Sequence, residues 1–101
     1  MADGVPVMLL ITVSRPSSES VLRNLLGACR RKSYDVSVFF TGRGVQLLED
    51  NEVLHALGDI KEAVACADSW KASYQFDCPV TSGSQTDHSR LIGEAQHVVS
   101  L

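Results

Sequence analysis

Two hydrophobic patterns alternate along this chain: unbroken apolar runs, and stretches where apolar residues recur every three or four positions. The first run, Val5 to Val13, is apolar almost throughout. A run that does not alternate predicts a strand covered on both faces, as in a parallel sheet. A turn, Ser14 to Ser18, follows. Val21, Leu22, Leu25, Leu26 and Cys29 then recur at helical spacing, with Arg23, Asn24, Arg30 and Arg31 facing away. Ser17 or Ser18 suits the cap of this helix and Glu19 its first turn. The helix is expected to end near Arg31 or Lys32. Asp35 to Phe40 is a second strand, closed by Thr41-Gly42-Arg43-Gly44. Gly44 to Leu48 and Asn51 to Leu57 read as one broken helix or two short ones, with Gly58 as the stop. Glu62 to Cys66 is a third strand, although Lys61 to Ala67 could also extend a helix by propensity. Asp68 and Ser69 suit the cap of a short helix over Trp70 to Tyr74. Phe76 to Ser84 carries turn residues throughout and predicts a loop. Thr86 to Ala95 is the last helix, capped from Ser84 or Thr86, and His97 to Leu101 the last strand.

This order predicts an α/β fold with a mainly parallel sheet of four to five strands and helices on both faces, a flavodoxin-like sandwich. Residues 1–101 suit one domain, able to bury about two-thirds of its unfolded surface. There is no internal repeat, low-complexity segment or linker.

Composition narrows the function. The net charge is −3, and the one basic run is Arg30-Arg31-Lys32. That predicts no nucleic-acid groove and no affinity for an anionic membrane surface. Few aromatic residues also argue against base stacking. The start, Met1 to Gly4, lacks a basic leader region, and Val5 to Val13 is too short to span a bilayer, so a cytoplasmic protein is expected. Three widely spaced cysteines do not make a disulfide framework or a zinc pattern. In a reducing compartment they are free thiols, and neither a metal nor an organic cofactor is called for.

In a parallel sheet the site lies at the carboxyl ends of the strands. The Ser14–Ser18 turn, Gly42 to Gly44 and Cys66 all fall there. Cys66 ends a strand just before a helix, where the helix dipole favours the thiolate; the alternative is a buried structural cysteine. Ser69 belongs to that helix start. Gly42 and Gly44 flank Arg43 and can hold an anion on backbone N–H groups, or simply make a tight turn; no GxGxxG or GxxxxGKS pattern is present. Cys78 precedes a proline in a loop and is a second accessible thiol. His88 lies in the first turn of its helix, which favours a neutral imidazole able to accept a proton; a plain surface histidine is the alternative. Cys29 lies on an apolar helix face and reads as core. Trp70 and Tyr74 are spaced to pack together.

Three stretches carry a likeness to a known family. Asp35 to Val45 contains a "VFF…GV" pattern, Val64-Ala65-Cys66-Ala67 ends a strand in a cysteine, and Thr81-Ser82-Gly83-Ser84 leads through a helix to Val98-Val99-Ser100-Leu101. In this order they resemble the DsrE/TusD-like sulfur-transfer family across nearly the whole chain. The resemblance implies a DsrE-like domain in which Cys66 accepts sulfane sulfur as a persulfide and passes it to a partner. It also implies homo-oligomers, from dimers to hexamers, with sulfur-donor and sulfur-acceptor proteins as partners. Two features depart from that pattern: Asp68 and Lys71 replace an Arg-rich segment after the cysteine, and Cys78 has no counterpart. The competing expectation is a non-catalytic oligomeric binding module for a small anion or a partner protein. A flavodoxin-like nucleotide binder is disfavoured by the missing phosphate motif.

Overall fold

The computed structural model describes residues 7–101. Met1 to Gly4, and the Val5 and Pro6 assigned above to the first strand, lie outside them. The described chain forms β1 (Met8–Val13), α1 (Glu19–Arg31), β2 (Asp35–Phe40), a 3-10 stretch (Gly42–Glu49), α2 (Asn51–Ala56), β3 (Glu62–Cys66), α3 (Ala67–Ser73), β4 (Thr81–Gly83), α4 (Gln85–Glu94) and β5 (His97–Ser100). The five strands make one parallel sheet in the order β4-β3-β2-β1-β5.

That order explains an uneven sandwich. The chain steps in one direction from β1 to β4, then crosses back to place β5 beside β1. Right-handed crossovers put the connections of the first three steps on one face and α4 on the other. The period of two along each strand divides the side chains accordingly. Leu9, Ile11, Val13, Val38, Phe40 and Ala65 meet Leu22, Leu26, Val45, Leu48, Val53 and Trp70 in the larger core. Leu10, Phe39, Val64 and Cys66 meet Leu91 of α4 in the smaller one.

Several local expectations are corrected. Thr81–Gly83, expected within a loop, is a short edge strand, with Val64 paired to Thr81 and Cys66 to Gly83. Its composition is that of a turn; pairing with β3 makes it a strand. α3 begins at Ala67, and Cys66 itself takes the cap position in extended conformation (φ −60, ψ 119). Asp68 and Ser69 therefore fall inside the first turn instead of capping it. A short 3-10 turn, Pro16–Ser18, precedes α1, and no serine side chain caps that helix. Val21, assigned to the apolar stripe, is 54% exposed. Gly44 allows a close crossing: a Cβ there would lie 2.3 Å from the carbonyl oxygen of Val13. Gly42 adopts φ +54, a region that favours glycine.

Candidate functional site

The site is built where β3 turns directly into α3. Cys66 is the last residue of β3, and its side chain belongs to the smaller core under α4, only 8% exposed. Burial alone pushes a thiol up, because it penalises the charged form. Here hydrogen bonding to the sulfur outweighs that penalty. The Ser69 side chain, the backbone N–H groups of Ser69 and Asp68, and the Gln85 amide all favour the thiolate, and the thiol lies below its ordinary pKa. Gln85 Nε2 stands 3.9 Å from Sγ. The Ser69 oxygen is held from its other side, accepting from the Gly42 N–H at 2.9 Å. That bond occupies an oxygen lone pair and leaves the hydroxyl proton free to face sulfur.

The remaining site candidates separate. Gly42 and Gly44 do not present an open anion loop: the Gly42 N–H serves Ser69, and the Gly44 N–H donates to the Thr41 carbonyl at 3.0 Å. His88 is half-buried and fixed elsewhere. Its Nε2 lies 3.1 Å from Thr12 Oγ1, and its ring stacks on Phe39 with centroids 4.4 Å apart and planes 11° from parallel. Thr12 pairs with Phe39 and Phe39 with Val64, so Cys66 lies two strands across and two residues beyond. His88 is bonded to Thr12 and stacked on Phe39, and it is not among the groups hydrogen-bonded to the Cys66 sulfur. Cys78 is half-buried against the larger core, on the opposite side of the sheet from Cys66. Burial pushes its thiol up, the Val80 backbone only partly opposing this. Cys29 is buried in α1 and pushed up by burial alone.

Gln85 is the site residue that the sequence reading missed. It stands at the first position of α4, held by a capping box in which Ser84 and Asp87 satisfy each other's backbone N–H groups. The spacing of Ser84 and Asp87 is a visible signal for a helix start. The direction Gln85 faces is set by the β3–β4 register. On the far side of Ser69 a cavity of about 370 Å³ is lined by Gly42, Arg43, Asp68, Ser69, Ala72 and Ser73. Trp70, Tyr74 and Phe76 pack mutually beyond it, with the Trp70 indole N–H donating to the Phe76 carbonyl at 2.6 Å. Among the described residues no three His, Cys, Asp or Glu side chains gather to hold a metal ion, and no helix is long and apolar enough to cross a membrane.

Fold and site together define a parallel α/β domain with an acidified thiol at the carboxyl edge of its sheet. The chain matches no protein-family model, no curated protein and no solved structure.

Proposed function

We propose that the protein is a sulfur carrier of sulfurtransferase type, with Cys66 as the acceptor. The observation that carries this reading is the contrast among the three thiols: only Cys66 is shifted toward the thiolate. A thiolate attacks sulfane sulfur as it attacks a disulfide. The Cys66 thiolate would attack the outer sulfur of a donor persulfide R–S–SH. A new S–S bond forms as the donor's S–S bond breaks, and the donor leaves as the thiolate R–S⁻ with the electron pair. The terminal proton stays on the transferred sulfur or passes to solvent. An acceptor thiolate reverses the step. No metal or organic cofactor enters this balance. The resemblance to DsrE/TusD-like proteins points the same way, and it adds a cytoplasmic homo-oligomer. The open strand edges of β4 and β5 and the 47% exposed Val98 suit such an assembly. Light scattering that shows only a monomer at micromolar concentration would remove that part.

The test is intact mass before and after incubation with a low-molecular-weight persulfide, with the modified residue mapped. The expected result is one added sulfur on Cys66, absent in Cys66→Ser. Loading on Cys78 instead would identify the wrong thiol. The cavity beside Ser69, with Arg43 on its wall, favours a second reading: a binding module for a small anion. A binding module keeps its ligand affinity in Cys66→Ser and loads no sulfur in the wild type.

A further inference from the structure

We propose that Gln85 is the charge-holding donor of the Cys66 site, the residue through which α4 controls the acidity and nucleophilicity of the thiol. This deepens the carrier reading and rests on it for its biological meaning. In the β3–β4 register Gly83 lies directly beside Cys66. A side chain at position 83 would crowd this junction: a Cβ there would lie 2.6 Å from Val64 Cγ1 and 2.7 Å from Asp87 Oδ2. Glycine lets the short strand run tight against β3. The chain turns at once into α4, and the turn is locked, since the Ser84 N–H donates to Asp87 Oδ2 at 2.8 Å and the Thr86 N–H to Ser84 Oγ at 3.2 Å. Gln85 lies between these fixed points, and its amide meets sulfur at 3.9 Å.

The other donors to Sγ, Ser69 and Asp68, all belong to α3. Gln85 alone reaches the sulfur from the second helix, across the mouth of the site. Lys71 and Arg43 are exposed, and neither is among the groups bonded to sulfur. The donors to this sulfur are neutral dipoles, and Gln85 is the one whose side chain has an isosteric carboxylate counterpart. Gln85 is itself exposed, and its backbone role is that of any first-turn residue.

That exposure makes the test clean. Glutamate in the first turn of a helix suits its dipole, so Gln85→Glu keeps or strengthens α4 while placing a carboxylate against the sulfur. Like charge disfavours the thiolate, so the Cys66 pKa is expected to rise by about half a unit to one unit. Below that pKa, iodoacetamide alkylation of Cys66 is expected to slow by about two- to fourfold, the loss of thiolate being partly offset by its greater nucleophilicity. Gln85→Ala removes the donor without adding charge and should fall between wild type and Gln85→Glu. The readout is thiolate absorbance against pH, with site-resolved alkylation and a melting curve for each variant. A purely structural Gln85 leaves the pH profile unmoved, and coincident profiles for wild type and both variants overturn the proposal. If Gln85→Glu fails to fold, the Gln85→Ala profile decides by the same criterion. The alkylation profile needs no sulfur donor. A wild type that never loads sulfur therefore ends the carrier reading and leaves the Gln85 result standing, and the converse holds equally.

Discussion

Cys29 sits on the apolar side of α1, Cys78 in the loop ahead of β4, and Cys66 where β3 becomes α3. Burial acts on all three, and only Cys66 has enough hydrogen bonds to overcome it. Under limiting iodoacetamide at neutral pH, Cys66 is expected to label first, Cys78 later and Cys29 last, read by peptide mass. Ser69→Ala should slow Cys66 labelling by removing a donor. The linkage has a definite sign. A thiol whose folded pKa is lowered adds stability above its unfolded value, about 8.5, and loses it as pH falls through the folded value. The melting temperature of wild type relative to Cys66→Ser should therefore climb through that window, and a flat difference would contradict the lowered pKa. Tyr74 shows the opposite case. Burial, then the hydrogen bond and charge of Glu49, push its phenol up to about 12. Its contribution is complete below pH about 10 and is lost as pH rises toward the folded value. An ultraviolet titration should show one of the two tyrosines ionising late, and Glu49→Gln should bring it back toward 10.

The elements were legible where burial on both faces dictates composition. β2 and β3 lie where the apolar runs Asp35–Phe40 and Glu62–Cys66 place them, residue for residue. The start of α4 is set by Ser84, as its capping motif suggests. β4 was illegible because three residues, two of them exposed, carry no periodic signal, and only their partner strand makes them a strand. Gln85 was illegible for a related reason: its role comes from the pairing of Gly83 with Cys66, a long-range fact. Cys66 was legible as the end of a strand, but the bonds that tune it span α3, α4 and Gly42. His88, expected in the first turn of a helix from Thr86, stands fourth in α4, and its attachment to Thr12 and Phe39 follows from α4 lying alone on its face. Gly44 tests how tightly these junctions are built. An added Cβ would meet backbone, the Val13 carbonyl carbon at 2.7 Å as well as its oxygen, and backbone cannot rotate aside. Gly44→Ala is expected to cost about 1–3 kcal/mol or more in denaturant unfolding. A loss under half of that would mean the Gly42–Glu49 stretch lifts freely from β1.

At the scale of the whole molecule, the sheet itself keeps the thiols apart. Cys66 faces α4 in the smaller core, while Cys78 packs against the larger core on the other side. Cys29 also lies on that other side, against residues such as Asp35 and Val36 at the amino ends of the strands, whereas Cys66 is at a carboxyl end. A disulfide needs Cα atoms within about 7 Å and side chains that point toward each other. Cys66 packs in the smaller core and Cys78 against the larger one, so a bridge between them would have to cross from one core to the other. Cys66 is therefore expected to lack an internal resolving partner. On the carrier reading proposed above, a sulfur taken up there would leave to a thiol brought from outside. Treating the protein with a thiol oxidant plus excess glutathione should give the mixed disulfide on Cys66. Without added thiol, only bridges between chains should form. Non-reducing electrophoresis and peptide mapping separate these products. A Cys66–Cys78 bridge within one chain, formed at a rate comparable to the mixed disulfide, would show that the two faces communicate by local opening and that the thiol can be resolved without a partner.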